Sequence, residues 1–437
     1  MGSRPSKSRT EIGLGLLGLG VVGTGVYQAL TQKASFLAQQ VGCPLVIRKV
    51  LILHPQKQRL PGVDPSLLTT RAEEVFSDPQ VDIVVELIGG ERPALDYLRQ
   101  ALSLGKGVVT ANKEVMAKHG PELMALAQEK GTAIKYEASV GGGIPLISPF
   151  QHDLAMNDIS AIYAIINGTT NYILTRMAEE GLDFATALSQ AQKRGYAEAN
   201  PANDVQGLDA AYKLSILASL AFRSPVFPQD IYCQGIERLS SRDFRYAREL
   251  GYAIKLLAIA KERDGSIEAR VHPVFIAHDS LLAQVREAYN AVQVEGDLAG
   301  RVVFYGMGAG ALPTTSAVLA DVLYQAKRIF HHIPSPPWMN WDKRKPVRPI
   351  SQLITRYYLR VTVADQAGVL AQIARALGER QISIASVIQK EADEAAGTAE
   401  IVIMTHPSQE EAMQLALQEM TRLEVVREIS NFVRVEA

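Results

Sequence analysis

The chain has 437 residues, 47% of them hydrophobic, and 45 Lys and Arg against 46 Asp and Glu. That length predicts two or three domains with sizeable cores. A formal net charge of −1 excludes a nucleic-acid surface built on bulk charge. The two cysteines, Cys43 and Cys233, fit neither a disulfide framework nor a zinc pattern, so a reducing, cytoplasmic setting is expected. No run of about 18 apolar residues predicts a membrane span.

Residues 1–10 are basic and polar, without the apolar centre of a secretory signal, and are expected to form a disordered lead. Ile12 to Leu17 predicts a strand. Gly18-Leu19-Gly20-Val21-Val22-Gly23 follows, and then a helix to about Gln40. Gly-x-Gly-x-x-Gly between a strand and a helix is a dinucleotide fingerprint: Gly18 for the turn, Gly20 for approach of the pyrophosphate, Gly23 for packing. The helix start offers N–H groups to phosphate. Strands over 45–53, 81–88, 107–110 and 132–138 alternate with helices over 72–76, 93–104 and 121–130. Repeated βα units predict a parallel, Rossmann-type sheet over 11–136, with Gly89 and Lys113 at strand ends facing the cofactor. The second strand ends Leu53-His54-Pro55-Gln56-Lys57-Gln58-Arg59, without the acid that NAD specificity uses. Lys57 and Arg59 could meet a 2′-phosphate, favouring NADP, or form a solvated basic turn.

Residues 137–304 predict an α+β domain. It has a strand over 160–167, a helix capped by Thr169 or Thr170, and hairpins turning at Asp264-Gly265 and near Glu295-Gly296-Asp297. Within it, a polar loop carrying Glu198 and Asp204 enters a helix predicted over 205–222. Asp209 and Lys213 are four apart and share a helix face. One reading is a capping acid beside a solvated ion pair. The other is a site: a cation for an oxygen that gains negative charge during hydride transfer, and carboxylates for an ammonium. An unperturbed Lys, pKa about 10.4, is protonated at neutral pH. Gly306-Met307-Gly308-Ala309-Gly310 precedes a helix over 314–328.

Five prolines (Pro334, Pro336, Pro337, Pro346, Pro349) mark 331–355 as a linker. Beyond it, 356–437 reads strand–helix–strand–strand–helix–strand, a ferredoxin-like unit.

The motifs Gly-Leu-Gly-Val-Val-Gly-Thr-Gly (18–25), Thr-Ala-Asn-Lys (110–113), Glu-Ala-Ser-Val-Gly-Gly-Gly-Ile-Pro (137–145), Asn-Gly-Thr-Thr-Asn-Tyr-Ile-Leu (167–174) and 195–213 resemble the homoserine dehydrogenase family. The resemblance covers roughly residues 10–330. It implies NAD(P)-dependent interconversion of L-homoserine and L-aspartate 4-semialdehyde, in threonine and methionine biosynthesis. It implies Lys213 as proton donor, Lys113 assisting, and Glu198, Asp204 and Asp209 holding substrate. It implies a sodium ion held by Glu137, Val140, Gly142 and Ile144, largely through main-chain oxygens. It also implies that 305–330 returns to the cofactor domain, with Gly308 touching the nucleotide; a glycine-rich crossover made for packing alone is the alternative. Many members carry Arg-Asp where Leu53-His54 stands, so cofactor preference stays open. Asp365-Gln366-Ala367-Gly368 resembles the ligand loop of ACT domains, implying an amino-acid effector such as threonine at Asp365 and Gly368, or else a dimerisation module. The open middle sheet and the tail both favour a homodimer or homotetramer. Another amino-acid-linked dehydrogenase, or a non-catalytic sensor, are the competing readings. No aspartate kinase domain is expected, because the nucleotide fold begins near residue 11.

Overall fold

The βα alternation builds the first of two units in the computed structural model, which describes residues 10–55, 62–335, 344–393 and 395–436. This unit takes Met1–Asp158, Ser215–Pro228 and Phe304–Arg344. Its strands are β1 (Ile12–Leu17), β2 (Leu45–Leu51), β3 (Leu68–Thr69), β4 (Ile83–Glu86), β5 (Gly107–Thr110) and β6 (Ile134–Lys135). All are parallel, in the order β3-β2-β1-β4-β5-β6. The order reverses between β1 and β4, where a doubly wound sheet opens a ligand crevice. The core joins Leu14, Leu16, Ile83 and Val85 to Val26 and Leu30 of the first helix. Val318, Val322 and Ala326 of the late helix Ala311–Phe330 share that core. Each fully buried aliphatic side chain of this kind contributes about 1.5–3 kcal/mol, which holds the late segment to the nucleotide sheet.

Three predicted elements differ from the observed ones. The helix expected to reach Gln40 is two, Val21–Gln32 and Ala34–Val41, separated at Lys33. The helix expected from Pro121 begins at Lys113 and runs to Glu129. The Asn112 side chain caps its start by accepting the Val115 N–H. Pro121 lacks the N–H that the Ala117 carbonyl needs, and the Ser215 hydroxyl lies 3.4 Å from that oxygen. The strand over 132–138 shortens to β6, because Glu137–Ser139 forms a 3-10 turn.

The second unit takes Ile159–Leu214, Gln229–Val303 and Lys345–Ala437. Its strands are β7 (Ile159–Ile165), β8 (Tyr232–Cys233), β9 (Tyr252–Arg263), β10 (Ser266–Ala277), β11 (Tyr289–Gly296), β12 (Gly300–Met307), β13 (Ile354–Ala364), β14 (Ile384–Asp393), β15 (Thr398–Thr405), β16 (Ser408–Gln409) and β17 (Val426–Val435). The main sheet runs β12-β11-β7-β9-β10-β17-β13-β15-β14. Asp264 and Gly265 join β9 to β10 with φ of 53° and 70°, the left-handed pair that a tight hairpin requires. The tail has the expected βαββαβ order, its helices Val369–Glu379 and Glu410–Met420 covering one sheet face.

The tail is not set apart. Strand β17 pairs in parallel with β10, at Val274↔Arg434 and Phe275↔Val435. Part of the expected linker is also engaged: the Ile267 N–H donates to the Pro346 carbonyl at 2.9 Å, and the Arg348 N–H to the Ile267 carbonyl at 2.7 Å.

Helix Gly168–Glu180 is capped by Asn167, not by Thr169 or Thr170: the Asn167 side chain accepts the Thr170 N–H at 2.8 Å. The helix predicted over 205–222 is Leu208–Ala221, preceded by the short turn of helix Ala202–Val205. Gly207, at φ 86°, separates them.

Candidate active site

Each fingerprint glycine has its own reason. Gly18 turns at φ 103°, and a Cβ on Gly23 would sit 2.2 Å from the Gly18 carbonyl oxygen. A Cβ on Gly20 would meet nothing within 4 Å. Leu19 and Val22 pack against the core, and Val21 is 75% exposed. The helix Val21–Gln32 therefore starts in open space with no side-chain cap on its N–H groups, which fits a phosphate. Gly25 approaches the Thr315 side chain of the late helix, 2.5 Å from its own would-be Cβ.

Two strand ends complete this rim. Glu86, wholly buried at the end of β4, accepts the Ile88 N–H at 2.8 Å, the Gly89 N–H at 3.3 Å and the Thr110 hydroxyl at 2.5 Å. Burial raises its pKa above the usual carboxylate range. Asn112 donates to the Gly90 carbonyl at 2.7 Å while capping the helix that Lys113 opens. Gly89 and Lys113 thus stand at the ends of adjacent strands, β4 and β5. Lys57 and Arg59 lie outside the described residues.

The cluster around Lys213 is buried. Lys213 is 8% and Asp209 4% exposed, which removes the solvated-pair reading. The Lys213 Nζ donates to Asp209 Oδ2 at 2.7 Å and to the Ile166 carbonyl at 2.8 Å. Asn167 Nδ2 donates to Asp204 Oδ1 at 2.7 Å and to Asp209 Oδ2 at 2.9 Å. One cap residue therefore starts the Gly168–Glu180 helix and holds two carboxylates together beside an amine. Glu198 is exposed in the loop before Asp204, its carbonyl accepting from Gln192.

In the 137–145 loop, the Glu137 carboxylate accepts the N–H groups of Leu146, Ile147 and Ser148 at 2.5–2.8 Å. It caps the helix Ile147–Gln151 and is committed there. The carbonyl oxygens of Val140, Gly142 and Ile144 accept no hydrogen bond from the described residues. Gly308 packs on Gly142: a Cβ at Gly142 would lie 2.6 Å from the Gly308 carbonyl. In the tail, Asp365 and Gly368 are exposed, with Gly368 at φ 88° and nothing within 4 Å of a would-be Cβ.

Glu86, Asn112 and Asn167 join the site through hydrogen bonds that the motifs alone do not specify. An acid ending an apolar strand before Gly-Gly was a readable signal for Glu86. Asn is a better cap than Thr, which was a readable signal for Asn167.

A dinucleotide crevice, a buried lysine–carboxylate cluster and a βαββαβ tail define an NAD(P)-dependent oxidoreductase with an ACT domain. The family model for homoserine dehydrogenase matches residues 145–323, that for the homoserine dehydrogenase NAD-binding domain residues 18–137, and that for ACT domains residues 357–425. The chain is 43% identical over 433 residues to the homoserine dehydrogenase of Synechocystis sp., covering 97% of this chain and 99% of that one. It is 39% identical over 426 residues to that of Bacillus subtilis, covering 97% and 98%. A crystal structure of a homoserine dehydrogenase from Thiobacillus denitrificans superposes with a TM-score of 0.90 at 40% identity, over 98% of each chain. A hyperthermophilic archaeal homoserine dehydrogenase in complex with NADPH superposes with a TM-score of 0.62 at 25% identity, over 72% of this chain and 97% of that one. The chain belongs to the homoserine dehydrogenase family, whose members are oxidoreductases acting on a CH–OH group. Among the described residues, no helix is long and apolar enough to cross a membrane.

Proposed function

We propose that the chain interconverts L-homoserine and L-aspartate 4-semialdehyde, with Lys213 as the proton donor to the aldehyde oxygen. The observation that carries this is the buried Lys213–Asp209 pair at 2.7 Å. Bound nicotinamide supplies or accepts the hydride. The chain's own residues do the rest. Lys213 gives a proton to the oxygen as the carbonyl carbon is reduced, leaving the alcohol and a neutral amine that solvent reprotonates. Asp209 and the Ile166 carbonyl hold the amine in place, and Asn167 holds Asp204 beside it. Asp204, Asp209 and Glu198 take the substrate ammonium; Lys113, at a helix start, assists with negative charge on the substrate.

The open helix start at Gly20 and the Gly18–Gly23 turn fit a dinucleotide pyrophosphate, and Gly89 and Gly308 line the same reading. NADP(H) is the favoured cofactor, in line with the NADPH-bound archaeal relative and the absence of an acid after β2. The carbonyls of Val140, Gly142 and Ile144, which accept nothing from the described residues, fit a hard monovalent cation, sodium, with Glu137 contributing through its main chain only. Removing sodium, with choline chloride holding ionic strength, is expected to lower turnover. The ACT unit takes an amino-acid effector, threonine, at the Asp365–Gly368 loop; the protein works in the cytoplasm as a homodimer or homotetramer. Absorbance at 340 nm with homoserine and either NADP⁺ or NAD⁺ tests the reaction and the cofactor together. No turnover with either one overturns the proposal.

A further inference from the structure

Strand β9 buries a lysine outside the catalytic cluster. Lys255 is 5% exposed. Its Nζ donates to Asn171 Oδ1 at 3.1 Å and to the Val285 carbonyl, and no carboxylate among the described residues lies within 4 Å of it. An ammonium carries three donors, so one N–H has no acceptor among the described residues, and a buried cation without a counter-charge is costly. Burial and the neighbouring Arg286 guanidinium push its pKa down to about 8, with Glu179 opposing.

The lysine lines a cavity of about 170 Å³. Helix Gly168–Glu180 forms one wall and helix Ser241–Glu249 another, with Leu174, Phe244, Ala247 and Ile254 supplying apolar surface. Arg248 and Arg286 also line it. The lone lining acid, Glu179, is already paired with Arg286 at 3.3 Å. The electrostatic balance is positive, and the lining is mixed, with the carbon of Leu174, Phe244, Ala247 and Ile254 beside the polar Thr175, Tyr252 and His278.

We propose that this cavity is a binding site for a small carboxylate with a short aliphatic body, its anionic end on the Nζ of Lys255. A cation is repelled by Lys255, Arg248 and Arg286. A bare inorganic anion leaves the apolar wall without a partner. The site goes beyond the dehydrogenase reading and is separate from the Asp365–Gly368 loop. Its two walls lead elsewhere: one helix begins at Asn167, which holds Asp204 and Asp209, and the other carries Asp243, which grips Arg360 of the tail at 2.8 Å.

The test uses the full chain and sodium propionate, with propionamide as the uncharged isostere and sodium chloride matching ionic strength. Titration calorimetry is expected to show saturable propionate binding in the millimolar range, and binding of propionamide weaker by about tenfold or more. Lys255→Met is expected to weaken propionate binding by about the same factor. Ala247→Leu, which fills the wall and leaves every charge in place, is also expected to weaken it; a melting curve establishes that each variant is folded. Equal affinity of propionate for wild type and folded variants, an equal response to propionamide, or no binding below about 50 mM overturns the proposal. If Lys255→Met fails to fold, the Ala247→Leu comparison decides alone.

Discussion

Lys213 carries the residue-scale argument, because its removal separates chemistry from cofactor binding. Lys213→Ala is expected to lower kcat by about 10²–10⁴, the usual worth of a positioned proton donor. Nucleotide affinity, read by NADPH fluorescence, should stay within about twofold, since the fingerprint glycines and Glu86 belong to the other unit. If kcat falls less than about tenfold, another group protonates the product. Lys255 gives the pH prediction. Its folded pKa, about 8, lies below the ordinary value of 10.5. Between those values the unfolded chain binds the extra proton, so stability rises with pH through that window. Below about pH 8 the full cost of the buried charge is present. Urea denaturation from pH 8 to 10.5 should show the rise, and Lys255→Met should flatten it.

Among elements, the helix Lys113–Glu129 shows what a sequence leaves hidden. Pro121 reads as a start because proline suits a first turn. The actual start depends on Asn112, whose side chain joins the Val115 N–H to the Gly90 carbonyl, and on Ser215, distant in sequence, near the carbonyl that proline leaves unserved. Asn167 is similar: its capping role is local, but its grip on Asp204 and Asp209 spans two chain segments. Signals contained in a few neighbouring residues were legible. The glycine turn at 18–23, the Asp264-Gly265 hairpin, and the strands Gly107–Thr110 and Thr398–Thr405 all stand where the pattern put them. Asn112→Ala tests the element. It is expected to cost about 1 kcal/mol in stability from the lost cap and to raise the KM for nucleotide several-fold, because the Gly89–Gly90 turn loses its tether. A loss of stability with unchanged KM would show that the turn holds itself.

At the scale of the whole chain, the tail's dependence on the middle sheet was the least legible feature, because strand partners far apart in sequence leave no periodic trace. A βαββαβ pattern behind five prolines reads as a separate domain, yet β17 extends the sheet from β10. Buried charge reinforces that seam. Asp243, wholly buried, accepts from Arg360 at 2.8 Å, from Asn431 at 2.7 Å and from the Tyr358 hydroxyl at 3.2 Å. Arg360 also reaches Glu400 at 2.8 Å. Arg360→Met would take the shared guanidinium from two buried carboxylates, and breaking a buried pair costs about 3–5 kcal/mol. Asn431 and Ser240 still serve Asp243 and Arg242 still reaches Glu400 at 3.3 Å, so the lower end of that range is expected in urea denaturation. Arg375→Met, breaking the exposed pair with Glu379, should leave stability unchanged. If the seam joins the tail to the middle sheet as one cooperative body, Arg360→Met lowers the midpoint of a single transition. Were the tail to unfold first as its own transition, with the middle sheet's midpoint unmoved, the parallel β10–β17 pairing would not be what couples them.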